Sequence, residues 1–229
     1  MLIIGHRGAG GLAPENTLAA MQAGLEAGAD MIEIDVRLTK DRIPIVIHDA
    51  RLARTHRRRD AVAGLTLAEL ATLTHEQPIP TLEAVLDRFF GRIIINIELK
   101  SRGASRAVLE LLERKYIRQD SDWDSLLLSS FMGTELMTIR RRAPLANLAL
   151  LHSENPFIFV AYHRFINFTA VGFHRLYLNR FAIEIAKKAG IFIYTYTVNH
   201  PAVLPLLDKQ GINGIVTNYP NKFSTSSTQ

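Results

Sequence analysis

Two acids two positions apart, Glu33 and Asp35, stand in the run Met31-Ile32-Glu33-Ile34-Asp35-Val36. Residues two apart on a β-strand share a face, so both carboxylates leave one side while Ile32, Ile34 and Val36 leave the other. Like charges roughly 5–7 Å apart in apolar surroundings repel, and one must take up a proton unless a cation lies between them. The run Ile95-Asn96-Ile97-Glu98-Leu99-Lys100 repeats the pattern and places Asn96, Glu98 and Lys100 on one face. Any one of these acids alone would be an ordinary strand-end partner for Arg or Lys. Three of them at one strand-end cluster, in a chain with no cysteine, form the donor set of one hard divalent cation, Mg²⁺ or Ca²⁺.

His6 and His48 supply the other half of a reaction, since neutral-range imidazoles let one accept a proton while the other donates. Each also has an ionisable neighbour, Arg7 and Asp49, as expected of a cleft rather than a core. Arg7 opens the stretch Gly8-Ala9-Gly10-Gly11, whose backbone amides are expected to approach an anion closely. With Lys100 and Arg7 as cations, the set suits an anionic oxyacid, phosphate above all, better than a neutral sugar.

The elements that must position these residues alternate along nearly the whole chain. Strands are predicted at Leu2–Ile4, Met31–Val36, Ile45–His48, Ile93–Leu99, Leu126–Ser129, Leu148–Leu151, Ala170–Phe173, Phe192–Val198 and Ile215–Thr217. Most are continuous apolar runs, as strands buried on both faces should be. Between them, Thr17–Ala27 carries a helical stripe stopped by Gly28, Thr66-Leu67-Ala68-Glu69 has capping-box spacing, and Leu82, Val85, Leu86 and Phe89 form a stripe ending at Gly91. Further helices are predicted over Ala107–Tyr116, Thr134–Arg142, Asn179–Ala189 and Pro201–Lys209. The class is α/β, and the repeated strand-then-helix unit predicts a (β/α)8 TIM barrel with its site at the carboxyl ends of the strands. No G-x-G-x-x-G opens the first βα turn, which speaks against a nucleotide-binding sheet.

Nine strand runs exceed eight, so one is irregular. The connection Arg37–Pro44 is too short for a helical crossover, and the second and third runs are either a hairpin or a steep parallel return. Both place His48 beside the paired acids. Residues 50–76 are read as a small insertion over the barrel mouth after the third strand. The domain is expected to span 1–223, with 224–229 a frayed polar tail.

Composition agrees with a globular enzyme. Of 229 residues, 48% are hydrophobic and 21% charged, which excludes disorder, collagen and coiled coil. The net charge of +5 selects no partner by itself, and Arg57-Arg58-Arg59 and Arg140-Arg141-Arg142 lack interleaved aromatics, so they are read as solvated faces rather than a nucleic-acid surface. No apolar run reaches the ~18 residues of a membrane span, and the leading run is too short for a signal peptide, so stable membrane insertion is not expected and the reading is cytoplasmic. The oligomeric state is not legible.

Taken in order, His6-Arg7-Gly8, Pro14-Glu15-Asn16-Thr17, Glu33-Ile34-Asp35-Val36, His48-Asp49 with Leu52 and Arg54-Thr55, and Glu98-Leu99-Lys100 resemble the signatures of the glycerophosphodiester phosphodiesterase family. Ser130-Phe131, Thr197-Val198-Asn199 and Gly214-Ile215-Val216-Thr217 extend the likeness over nearly the whole chain. The resemblance implies a metal-dependent barrel enzyme that cleaves small-molecule glycerophosphodiesters to glycerol 3-phosphate and an alcohol. It implies Glu33, Asp35 and Glu98 as metal ligands, His6 and His48 as base and acid, and Arg7 and Lys100 on the phosphate. Tyr196, Asn213 and Asn218 stand where the family usually has Trp, Asp and Asp; they are expected to alter the pocket wall and to touch neither the metal nor the proton-transfer residues. The rival readings are a lysophospholipase D-like or phospholipase C-like phosphodiesterase, and a non-catalytic phosphate-binding barrel. The last would be expected to have lost a histidine or a carboxylate, and this chain keeps every one.

Overall fold

The computed structural model describes residues 1–74, 77–152 and 158–223. Among them nine strands form one sheet: β1 (Leu2–Gly5), β2 (Met31–Leu38), β3 (Pro44–Val46), β4 (Ile94–Leu99), β5 (Leu126–Ser130), β6 (Leu148–His152), β7 (Ala170–His174), β8 (Phe192–Tyr196) and β9 (Gly214–Thr217). Their order is β1-β9-β8-β7-β6-β5-β4-β2-β3, and a further β1–β2 pairing closes eight parallel strands into a barrel. The ninth, β3, bonds only to β2 among the strands. It runs antiparallel, with Val36 opposite Val46 and Leu38 opposite Pro44. The hairpin reading therefore holds, because five residues between the strands suffice for a turn but not for a crossover.

Helices α1 (Leu18–Glu26), α2 (Ala53–His56), α3 (Leu67–Leu73), α4 (Leu82–Phe89), α5 (Ala104–Lys115), α6 (Gly133–Arg142), α7 (Ile158–Ile166), α8 (Arg180–Lys188) and α9 (Leu204–Gln210) surround these strands, and all but α2 and α7 fall on stripes the sequence predicts. Thr17 caps α1, and the backbone beyond its end turns left-handed at Gly28 (φ 76°). The Thr66/Glu69 capping box of α3 is formed, a device worth about 1 kcal/mol. Leu82, Val85, Leu86 and Phe89 of α4 are all buried. The helix predicted over Pro201–Lys209 splits into a 3₁₀ turn at Pro201–Val203 and α9. Pro205 has no N–H to bond the carbonyl of Pro201 four residues back, so the α-ladder cannot run unbroken from Pro201, and Pro205 instead sits in the first turn of α9, where its missing N–H costs no bond.

Side-chain alternation sorts the barrel into two layers. Ile3, Ile32, Ile34, Ile95 and Ile97 face outward into the helices, while Ile4, Met31, Leu127, Ala149, Ala170, Tyr194 and Val216 fill the interior. Going up β2 and β4, the inward positions change from Met31 and Ile94 to Glu33 and Asn96, then to Asp35 and Glu98, which are register partners. The apolar plug thus floors a polar mouth. The described part of the 50–76 segment carries α2 and α3 and packs Leu52, Val62 and Leu70 against Ile45 and Ile47 in a small core of its own. The tail 224–229 and residues 75–76 lie outside the described residues.

Candidate active site

The first βα connection is shaped around the acids. Arg7 turns into the left-handed region (φ 52°) and its N–H donates to Glu33 Oε2 at 2.8 Å. Gly8 follows at φ 87°, and a Cβ there would lie 2.6 Å from the Ala20 backbone, so the loop reaches α1 only with glycine. The expectation that these amides cradle an anion is corrected here. The N–H groups of Gly8, Gly10 and Gly11 donate to the carbonyls of Glu33, His6 and Asn218. A donor already used inside the chain is not offered to a ligand; the glycines serve close packing instead.

Glu33, Asp35 and Glu98 meet as the spacing predicts. Each is buried, and one oxygen from each lies within 4.8 Å of the others. Asp35 is held on several sides: Asn16 Nδ2 donates to Oδ2 at 2.8 Å, Lys100 Nζ stands 3.2 Å from Oδ1, and Arg7 Nε 3.4 Å from Oδ2. Lys100 Nζ is also 2.5 Å from Glu98 Oε1. Two cations against three acids leave one negative charge uncompensated. Burial first, and then the Asp35 and Glu98 charges, push the Glu33 carboxyl well above the usual carboxylate range. Burial and the Asp35 charge push Glu98 up to about 7 against the pull of Lys100. Burial would raise Asp35 too, but Lys100 and Arg7 outweigh it and hold that group low.

These residues fit a divalent cation on structural grounds. Glu33 Oε1 is buried without a hydrogen-bond partner, a costly state for an anionic oxygen that a bound ion relieves. Oxygen donors from the neighbouring strands β2 and β4 of a closed barrel are rigidly spaced, and a doubly charged ion would turn the single excess negative charge of the mouth into one positive charge.

The two imidazoles differ in their partners. His6 Nδ1 lies 2.6 Å from Asn218 Oδ1, an acceptor-only oxygen as placed, so the ring proton sits on Nδ1 and Nε2 carries the lone pair. Burial, then the Arg7 guanidinium, lower the His6 pKa below 6.5. His48 Nδ1 lies 2.6 Å from Asp49 Oδ1, whose charge complements an imidazolium. Asp49 in turn accepts from Arg54 Nε at 2.7 Å, a bond that holds its pKa at about 2. Arg54 also donates to both oxygens of Glu15, and Glu15 accepts from Arg7, so α2 is linked to the first βα loop.

The reading that Tyr196, Asn213 and Asn218 leave the proton-transfer residues untouched fails at one position. Asn218 follows β9, beside β1 in the closed barrel, and its side chain meets His6 directly. Asn213 lies at the other end and accepts from Ile193 N–H at 2.8 Å. Tyr196 does line the pocket, with its hydroxyl donating to the His152 carbonyl and its ring edge-on to Phe131 at 6.3 Å. The mouth is accordingly charged on the β1–β4 side and aromatic where β5 and β8 end. Asn16 and Arg37 were not singled out by role, although Arg37 continues the two-residue period of Glu33 and Asp35. No sequence period connects Asn218 to His6, 212 positions away.

Fold and mouth together define a barrel hydrolase for anionic esters. Residues 6–222 match the glycerophosphoryl diester phosphodiesterase family, and the chain belongs to that family. It is 37% identical to YhdW of Bacillus subtilis over 235 residues, 96% of each chain. It is 31% identical to the glycerophosphodiester phosphodiesterase of Caldanaerobacter subterraneus over 231 residues, covering 96% of this chain and 94% of the relative. Among solved structures, an Oleispira antarctica phosphodiesterase in complex with the product sn-glycerol-3-phosphate superposes with a TM-score of 0.84 at 28% identity, over 97% of this chain and 94% of that one. Among the described residues no helix is long and apolar enough to cross a membrane.

Proposed function

We propose that the protein hydrolyses small glycerophosphodiesters to sn-glycerol 3-phosphate and an alcohol, with one divalent cation, Mg²⁺ or Ca²⁺, held by Glu33, Asp35 and Glu98. The product seen in the Oleispira enzyme supports the choice of substrate. The unpartnered Glu33 oxygen within the acidic triad carries the metal reading. When bound, such a cation supplies Lewis-acid polarisation of a phosphoryl oxygen.

Arg7 and Lys100 stand beside the triad and are proposed to bind the remaining phosphate oxygens by charge-assisted hydrogen bonds. His6 is the proposed base: its Nε2 lone pair takes the proton of the attacking hydroxyl as the new O–P bond forms. That hydroxyl is either water's, which gives glycerol 3-phosphate directly, or the substrate's own at the glycerol 2-position, which gives a cyclic phosphate that water then opens to glycerol 3-phosphate. His48 is the proposed acid: its Nε2 proton goes to the departing alkoxide as the old P–O bond breaks. Asn218 and Asp49 underwrite the difference, since a neutral amide leaves a free base whereas a carboxylate supports a charged acid.

The test is release of glycerol 3-phosphate from glycerophosphocholine and glycerophosphoethanolamine with and without EDTA, with a lysophospholipid in the same panel to probe the aromatic side of the mouth. Turnover of the water-soluble diesters, lost to chelator and restored by Mg²⁺ or Ca²⁺, is expected. Full activity in excess chelator would remove the metal from the reading.

A further inference from the structure

His48 poses a mechanical problem. It stands just beyond a strand that is not part of the barrel, yet a group that protonates a leaving oxygen must be held to a fraction of an ångström. The β2–β3 ladder ends before it: Val36 pairs with Val46, and Ile47 N–H donates to the Asp35 carbonyl at 2.9 Å. The next bond comes from a side chain. Arg37 Nε donates to the His48 carbonyl at 2.7 Å, and Nη1 of the same guanidinium donates to the Lys100 carbonyl at 3.2 Å. Arg37 follows Asp35 by two positions on β2, so it leaves the strand on the face of Glu33 and Asp35. One planar fork thus joins the peptide of His48, outside the barrel, to the end of β4, inside it.

We propose that Arg37 is a positioning residue for His48, stapling the extra strand to the barrel wall so that the imidazole faces the leaving oxygen. This rests on the reading of His48 as the acid. The phosphate contact does not depend on the staple in the same way. The Lys100 ammonium is held separately by Asp35 and Glu98, and the Lys100 N–H donates to the Val36 carbonyl at 2.9 Å. Loss of Arg37 should therefore injure protonation of the leaving group more than binding of the diester.

Leaving groups that differ in their need for a proton separate these effects. Choline departs as an alkoxide and needs an acid; 4-nitrophenolate departs unaided. Wild type, Arg37→Met, Arg37→Lys and His48→Ala would be assayed on glycerophosphocholine and on the 4-nitrophenyl ester of glycerol 3-phosphate, with circular dichroism checking the fold. A mis-set acid costs about 10²-fold. Arg37→Met is thus expected to lose roughly that factor in kcat on the choline ester, with KM within about threefold, while the aryl ester stays within about threefold of wild type. Arg37→Lys, which keeps the charge but not the fork, should show the same selectivity at a smaller size, and it carries the test if Arg37→Met does not fold. Wild-type rates for both Arg37 variants on both esters, or equal losses on the two esters beside a selective His48→Ala, would overturn the proposal. A His48→Ala variant that loses both esters equally would remove the acid reading itself, and the staple with it.

Discussion

Asn218→Asp puts a carboxylate where an amide oxygen now lies 2.6 Å from His6 Nδ1. A base works in its neutral form, so any change that strengthens its hold on a proton moves the acid limb of kcat/KM to higher pH. Two unit charges 4 Å apart interact by about 4 kcal/mol at an effective dielectric of 20; at 1.36 kcal/mol per tenfold change in proton affinity, that sets a ceiling near three pH units. Opposite charges at such range ordinarily give about one to three. The variant's acid limb should therefore rise by that amount from a wild-type limb that burial and Arg7 hold below 6.5. Below the new midpoint each further pH unit costs about tenfold, while the plateau above it survives. The assay is glycerol 3-phosphate release between about pH 5 and 9 at saturating cation, with Asn218→Ala as control. That control should lower kcat through a loosened ring without moving the limb upward. An unmoved limb in the Asp variant, alongside an inactive His6→Ala, would refute the assignment of His6 as a base oriented by residue 218.

Glu33→Gln keeps the shape of the triad and removes a charge; activity should fall at least about 10²-fold. The wild type should gain about 2.7 kcal/mol from cation at a hundredfold its Kd, roughly 5–10 °C in Tm for a chain of this size, and the variant should lose that gain; a retained rise would take Glu33 out of the ligand set. In EDTA, Glu33 and Glu98 have folded-state pKa values raised above their unfolded ones, Glu98 to about 7. The folded state then binds more protons than the unfolded one between about pH 4.5 and 7, so stability falls as pH rises through that window. Calorimetry should show Tm dropping there and added Mg²⁺ or Ca²⁺ reversing the drop; a Tm that rises with pH would contradict the buried-acid picture. Gly8→Ala forces a Cβ to within 2.6 Å of the Ala20 backbone at φ 87°, and should destabilise the fold by about 1–3 kcal/mol or more, read as a lower denaturation midpoint.

The residues themselves determine much of this protein. Continuous apolar strands, capped helical stripes and the two-residue spacing of Glu33 with Asp35 and of Asn96 with Glu98 are local consequences of strand and helix periods, so the barrel and its acidic face were legible without coordinates. The hairpin was half legible: a five-residue connection limits the options, but which of nine runs stays outside the barrel depends on closure, and only the β1–β2 pairing shows that β3 is the extra one. What tertiary structure alone decided is who faces whom across closed strands. Asn218 reaches His6 because the last strand lies against the first, Arg37 reaches Lys100 because β4 lies against β2, and the amides of Gly8 and Gly11 are spent on Glu33 and Asn218 because β2 and β9 flank β1. Periodicity tells which side of a strand a side chain leaves, but partners separated by tens to hundreds of residues are set by sheet closure and packing, which no local pattern encodes.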